Sequence, residues 1–151
     1  PSFPQAEYVV QDGEYRFAHR ANERVRASYL PANYEPIEKA GLWRFVEGEA
    51  VITEGVRVVP TPGHTPYHQS VLVESAGETA CFLADVCPTT AHLPLPWIMG
   101  YDLEPLVTLE SKRALWERAF HDDWLLIFEH DPDVPWGRLD PDVDRPALRA
   151  P

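Results

Sequence analysis

The chain has 151 residues, of which 44% are hydrophobic and 11% aromatic, a composition that excludes a disordered chain and suits one folded domain. Its formal net charge of −11 disfavours nucleic acid as a partner, because an acidic surface repels a phosphate backbone. No apolar run approaches the roughly 20 residues that a membrane-spanning helix needs, so a membrane is not an expected partner either.

The first third of the chain predicts one strand and two helical segments. Residues 7–11 form a strand-like run that stops at an Asp-Gly pair, and residues 14–29 have a helix-compatible composition. Two prolines within residues 30–36 predict a loop, because proline interrupts regular structure, and a short helical turn is expected over residues 37–40.

The middle of the chain predicts a β-meander followed by a long loop. Glycines act as turn signals between strand-sized apolar runs. Residues 88–102 then contain three prolines and predict an irregular loop, a kind of segment that often borders a site. The predicted strands are residues 42–47, 50–53, 56–60, 70–75 and 79–84.

The last third predicts a helix over residues 106–120 and a strand over residues 124–128. The strand is continuously apolar, which is typical of a strand covered on both faces. Residues from 131 onward are rich in proline and aspartate and are expected to wrap the surface. A meander, a helix and a buried strand together indicate an α/β sheet with helices packed on it. The helix residues expected to face the core are Leu106, Leu109, Trp116 and Phe120.

Two cysteines, Cys81 and Cys87, are too few for a disulfide framework. Cys81 lies in an apolar strand and is expected to be a small core residue. Cys87 is more simply a packed thiol, although its position two residues beyond Asp85 leaves open a place near a site. Reduced thiols favour a cytoplasmic location.

Three potential metal ligands each follow an apolar strand. His64 lies in a Pro/Gly turn after residues 56–60, Asp85 ends a strand, and His130 follows residues 124–128. Strand ends on one edge of a sheet can converge, and two imidazoles with a carboxylate suit Zn²⁺, or Mn²⁺ and Fe²⁺ less well. A carboxylate between two imidazoles could bridge two metal ions roughly 3.5–4 Å apart.

The proline loop leaves two further interpretations open. His92 could contact substrate or donate a proton to a leaving group, or it could be an exposed loop histidine. The apolar side chains of the loop could wall a pocket, pack the loop down, or cover the partner in a homodimer. These side chains are Trp97, Ile98, Met99 and Tyr101.

These motifs resemble the C-terminal half of a metallo-β-lactamase-fold hydrolase, nearest to the N-acyl homoserine lactonase-like branch. The resemblance rests on Thr-Pro-Gly-His-Thr-Pro-Tyr-His-Gln-Ser at residues 61–70, Phe-Leu-Ala-Asp at 82–85, and Ile-Phe-Glu-His-Asp at 127–131. It covers residues 5–135 and implies half of the αββα sandwich, a mixed sheet with flanking helices.

The resemblance also implies a role for each motif residue. His64 would bind a first metal ion, Asp85 would bridge two ions, and His130 would bind the second. His68 would support the site without binding metal, or contact substrate. Tyr67 stands where the family usually has glycine, which affects the expected turn geometry.

The family motif His-x-His-x-Asp-His is absent from the 151 residues. The resemblance therefore implies that residues 1–151 are a single-domain fragment whose partner is the missing N-terminal half of the same fold. That half would supply four further ligands, so the chain alone is expected to bind metal weakly and to be inactive.

The implied activity is zinc-dependent hydrolysis of a small ester, lactone, thioester or amide by a hydroxide held on one or two metal ions. One alternative is a non-catalytic half-fold that serves binding or assembly, and another is a thiol dioxygenase of the same fold. The intact trio His64, Asp85 and His130 favours the hydrolase over a purely structural module. A small-molecule substrate is the expected partner.

Overall fold

A computed structural model describes residues 1–140 and 147–149 of the chain. The chain divides into two compact units, Pro1–Gly48 and Glu49–Pro151. That residues 1–151 form a single-domain fragment stays a prediction. Within the described residues, no helix is both long enough and apolar enough to span a membrane.

The first unit is a small α/β arrangement. Its elements in chain order are β1 (Tyr8–Gln11), α1 (Asp12–Ala18), α2 (Pro31–Lys39) and β2 (Trp43–Val46). Strands β1 and β2 pair in parallel. The Gln11 side chain closes the unit, because its amide donates to the Gly48 carbonyl at 2.8 Å and accepts from the Gly48 N–H at 3.0 Å.

Two predictions for this unit were wrong. The helix expected over residues 14–29 ends at Ala18, and the loop expected over residues 30–36 is largely helix α2. Pro31 opens α2 at a position where the backbone N–H would have no helical partner in any case, so the proline is tolerated there. Pro36 lies inside the helix and removes one further helical hydrogen bond.

The second unit is built on a seven-stranded sheet in simple sequence order. All neighbouring strands are antiparallel except β6 and β7, which are parallel and are joined through helix α3 (Pro105–His121). The strands are β3 (Ala50–Thr53), β4 (Val56–Pro60), β5 (Gln69–Ser75), β6 (Glu78–Phe82), β7 (Leu125–Ile127), β8 (Trp136–Leu139) and β9 (Leu148–Arg149).

Strands β2 to β7 confirm the predicted strand regions, with ends that differ by one or two residues. The prediction of a surface wrap from residue 131 missed β8 and β9. Part of that predicted segment, residues 141–146 and 150–151, lies outside the described residues.

The core lies between one sheet face and α3. Leu72, Cys81 and Leu126 are aligned across β5, β6 and β7 and are fully buried. Leu115 and Trp116 of α3 pack in the same cluster, and Cys87 also belongs to it, so both cysteines are buried free thiols as predicted.

The predicted inner face of α3 was right for Trp116, which is 3% exposed, and wrong for Leu106 and Phe120. Leu106 is 79% exposed and Phe120 39% exposed, whereas Thr108 and Lys112 are buried. These two polar residues face inward because each finds hydrogen-bond partners there, which a hydrophobic periodicity does not register.

The sheet places the three candidate ligands at one edge. Strand β4 is antiparallel to β5, β5 is antiparallel to β6, and β6 is parallel to β7, so β4, β6 and β7 run in the same direction. The residues that follow their C-terminal ends, His64, Asp85 and His130, therefore meet. Ala84 has a left-handed backbone with φ of 49°, which turns the chain just before Asp85.

Candidate metal centre

The three predicted ligands converge on the two oxygens of Asp85. Oδ2 lies 3.7 Å from Nε2 of His64, and Oδ1 lies 3.4 Å from Nε2 of His130. Both distances exceed the roughly 2.7–2.9 Å of a charge-assisted hydrogen bond. Two ligands that each lie about 2.0–2.1 Å from one zinc ion in tetrahedral geometry are about 3.3–3.4 Å apart. The spacing therefore suits a metal ion beside each imidazole–carboxylate pair.

His64 is oriented by a buried carboxylate that the sequence did not reveal. Its Nδ1 lies 3.0 Å from Oδ1 of Asp102, whose side chain is 1% exposed. The other Asp102 oxygen accepts a 2.6 Å hydrogen bond from the Thr108 hydroxyl. Because a carboxylate only accepts, Nδ1 of His64 carries the proton and Nε2 keeps the lone pair that a metal ligand needs.

The turn that carries His64 packs directly on the start of α3. The Gly63 carbonyl accepts from the Glu104 N–H at 2.9 Å, and the His64 carbonyl accepts from the Leu103 N–H at 3.2 Å. Gly63 has φ of +132°, and a Cβ added there would lie within 2.5 Å of the Thr108 Cα. A side chain at this position would push α3 away from the turn.

His68 supports Asp85 through the backbone. Its Nε2 accepts a 3.2 Å hydrogen bond from the Asp85 N–H, so Nδ1 is the protonated nitrogen and donates to Thr61. Burial and, to a lesser extent, the nearby His64 together lower the pKa of His68 to about 4, so the ring is neutral at pH 7. The predicted supporting role fits this geometry but stays a prediction.

The backbone at His130 and Asp131 is held mainly by residues of the proline loop. Its backbone N–H donates to the Pro88 carbonyl at 3.0 Å. The next residue, Asp131, accepts from the Thr90 N–H at 2.8 Å, the Thr90 hydroxyl at 2.7 Å and the Val134 N–H at 2.9 Å. These hydrogen bonds hold the pKa of Asp131 well below its usual range.

Glu129 is a second residue that the sequence did not single out. One carboxylate oxygen of Glu129, one of Asp85 and one ring nitrogen of His130 all lie within 4.8 Å of one another. Adjacent residues of a strand normally point to opposite faces, but β7 has already ended at Ile127, so Glu129 and His130 can approach the same point.

His92 lies in the proline loop, where Nδ1 is 2.8 Å from the Thr89 hydroxyl. Partial burial lowers the pKa of its ring, and the cation of Lys112 adds to this effect. Its role toward substrate stays a prediction. Cys87 is buried, and burial raises the pKa of its thiol to about 12, so the thiol stays protonated and unreactive.

Comparison with known sequences gives matches to lactonases but to no protein-family model. The N-acyl homoserine lactonase AttM of Rhizobium radiobacter is 30% identical in an alignment of length 140 that covers 87% of this chain and 52% of that protein. An N-acyl homoserine lactonase from a Bacillus species is 30% identical in an alignment of length 134 that covers 86% of this chain and 49% of that protein. The chain thus spans about half the length of these relatives.

Solved structures give the same fold. A probable metal-dependent hydrolase from Staphylococcus aureus superposes with a TM-score of 0.85 at 25% identity, over 97% of this chain and 53% of that one. The dizinc quorum-quenching lactonase AidC, at 16% identity, superposes with a TM-score of 0.80 over 99% of this chain and 56% of that one. The predicted fold, half of the metallo-β-lactamase sandwich, and the predicted resemblance are confirmed.

Proposed function

We propose that this chain, which resembles the N-acyl homoserine lactonases and shares its fold with metal-dependent hydrolases, provides part of the metal site of a zinc-dependent hydrolase. The observation that carries the proposal is the position of Asp85, whose two oxygens each face a different imidazole, at 3.7 Å for His64 and 3.4 Å for His130. The proposed substrates are small carbonyl compounds, namely esters, lactones, thioesters or amides.

The donor set supports zinc as the metal. Imidazole nitrogen and carboxylate oxygen are common zinc ligands, and the same set accommodates Mn²⁺ or Fe²⁺ less selectively. Glu129 offers one more carboxylate oxygen close to Asp85 and His130. Each Asp85 oxygen faces a different imidazole. This arrangement supports either one ion beside one of the pairs or two ions with Asp85 between them.

When bound, zinc lowers the pKa of a water molecule and polarises a carbonyl group. The residues of this chain supply the geometry for that chemistry. Asp102 fixes the tautomer of His64, and His68 holds the backbone of Asp85. The carbonyl of Pro88 fixes the backbone of His130. The ring of His64 thus has a partner that restricts its orientation, and the backbones of Asp85 and His130 are anchored, before metal arrives.

The complete site needs ligands beyond these. The His-x-His-x-Asp-His motif of the family does not occur in the 151 residues, and the proposal assigns it to the N-terminal half of the fold. The chain alone is then expected to bind zinc weakly, because its ligand set is open on one side.

The first test is the zinc affinity of the purified chain, measured by competition with a chromophoric chelator. Asp85→Asn removes the central charge at constant size and should weaken binding at least as much as the loss of a residue that supports a ligand does, about 10- to 100-fold. Asp122→Asn is the matched control, because Asp122 forms a separate exposed pair with His121 at 2.7 Å and should leave the affinity unchanged. Equal affinities for the wild type and Asp85→Asn would contradict the proposed site.

A second test addresses the reaction and uses a protein that contains this segment together with the His-x-His-x-Asp-His motif. Opening of an N-acyl homoserine lactone releases one proton per turnover, which a pH-stat measures directly. Hydrolysis that depends on zinc supports the proposal. Iron as the bound metal, with oxygen consumption in the presence of a thiol, would instead favour the dioxygenase alternative.

A further inference from the structure

Helix α3 carries a lysine that is completely buried. The side chain of Lys112 is 0% exposed, and its Nζ donates to three backbone carbonyls. The acceptors are the carbonyls of His92 at 2.5 Å, Pro94 at 2.9 Å and Trp97 at 3.1 Å. An ammonium group has three N–H donors, so these contacts use all of them.

The proline loop needs such a donor. Pro94 and Pro96 have no backbone N–H, so this segment cannot form a regular ladder, and several of its carbonyls accept from side chains of α3 instead. A buried carbonyl without a donor is costly. Trp116, one turn further along α3, donates its Nε1–H to the Leu93 carbonyl at 3.0 Å. Two side chains of α3 therefore hold four carbonyls of this segment.

Both ends of the same loop contact the candidate metal centre. At one end, the Pro88 carbonyl accepts from the His130 N–H at 3.0 Å. At the other end, Asp102 holds Nδ1 of His64 at 3.0 Å. Lys112 acts on the middle of a segment whose ends are already fixed to two of the proposed ligands.

A charged residue at position 112 would be unfavourable if the side chain only had to fill space in the core. Burial disfavours the charged form of Lys112, and an apolar side chain of similar size would pack without that penalty. An apolar residue could not make the three hydrogen bonds to the carbonyls. Lys112 therefore acts mainly by fixing the conformation of the loop, and not by filling the core.

We propose that Lys112 is a positioning residue for the metal centre, because it holds residues 92–97, the middle of the loop whose two ends contact His130 and His64. The inference rests on the proposed function, because the metal centre is itself a proposal. The observation that carries the inference is the set of three hydrogen bonds that the fully buried ammonium group of Lys112 donates to the loop.

Amide hydrogen exchange of the 151-residue chain tests the effect on the loop. The reporters are the amides of His92 and Trp97, which donate to the carbonyls of Thr89 at 2.9 Å and Pro94 at 3.0 Å. Lys112→Met should accelerate their exchange by roughly 10- to 100-fold, the size expected when buried carbonyls lose their donors. The amides of β5 and β6 should keep their protection.

Two variants control this result. Lys112→Arg keeps charge and donors and should restore most of the loop protection. Arg113→Met removes a charge from the next residue of α3, whose side chain is 48% exposed, and should change nothing. The proposal is overturned if Lys112→Met accelerates exchange equally in the sheet, if it unfolds the chain, or if Lys112→Arg behaves like Lys112→Met.

The link to the metal centre is tested by zinc affinity in the same variants. Lys112→Met should weaken zinc binding several-fold, while Arg113→Met should not. A loosened loop with unchanged zinc affinity overturns the positioning role. Absence of zinc binding in the wild-type chain would instead count against the proposed metal site, and the exchange result would still report what Lys112 does to the loop.

Discussion

Replacement of Gly63 by alanine should separate the turn that carries His64 from helix α3. Gly63 has φ of +132°, a backbone conformation that side chains rarely adopt. An alanine Cβ would lie within 2.5 Å of the Thr108 Cα and closer still to the Thr108 backbone nitrogen. Backbone atoms cannot rotate away as the end of a side chain can, so either the turn or the start of the helix must move.

Gly63→Ala should lower the free energy of unfolding for two reasons. The strained φ contributes about 1–3 kcal/mol, and the overpacking against Thr108 contributes about 1–3 kcal/mol more. Gly77→Ala isolates the first part, because Gly77 has φ of +81° but nothing within 4 Å of an added Cβ. Gly63→Ala should therefore lower the free energy of unfolding by about 2 kcal/mol more than Gly77→Ala does.

Urea denaturation followed by circular dichroism measures this difference. With a slope of about 2 kcal/mol per molar urea, the midpoint for Gly63→Ala should lie about 1 M below that for Gly77→Ala. Zinc affinity should fall as well, because His64 moves with the turn while Asp102 stays near the helix. Coincident urea midpoints for the two variants would refute the close approach between Gly63 and Thr108.

Two further predictions concern charge. Burial lowers the pKa of His68 to about 4, below its ordinary value of 6.5, so the unfolded chain binds this proton first as the pH falls. The free energy of unfolding should then decrease by up to about 3 kcal/mol between pH 6.5 and pH 4, and His68→Gln should flatten this part of the profile in urea titrations across pH. Asp131→Asn should cost about 1 kcal/mol at neutral pH, because an amide NH₂ cannot accept from the Thr90 N–H and hydroxyl. Because the pKa of Asp131 is lowered in the folded chain, its stabilisation is present above the unfolded value near 3.8 and is lost below it, so the two urea midpoints should approach each other in acid.

The convergence of the three candidate ligands could be predicted because each of them is tied to a local pattern. A strand-sized apolar run precedes His64, Asp85 and His130, and a shared strand direction then brings the three together. The partners of these ligands carry no such local pattern. Asp102 lies 38 residues from His64 in sequence, and only the packing of the turn on α3 brings the two together.

The errors have a common physical origin in contacts between distant segments. Thr108 and Lys112 belong to the buried face of α3 because they bond to the loop, not because they are apolar. Strand β8 (Trp136–Leu139) is only four residues long, and it is defined by its pairing with β7, which involves three residue pairs. A hydrophobic pattern read along the chain detects neither effect.

The parallel pairing of β6 with β7 also predicts that the candidate metal centre forms late in folding. The partners Ala80 and Leu125 are 45 residues apart, whereas β3 to β6 close through short hairpins. An intermediate with only the hairpins in place would contain His64 and Asp85 but would not yet bring His130 to them. Zinc would then bind the native chain more tightly than such an intermediate. An ion that binds only the native form adds stability according to its free concentration. A chelator would remove that added stability and leave the pairing of β6 with β7 to hold His130 in place alone.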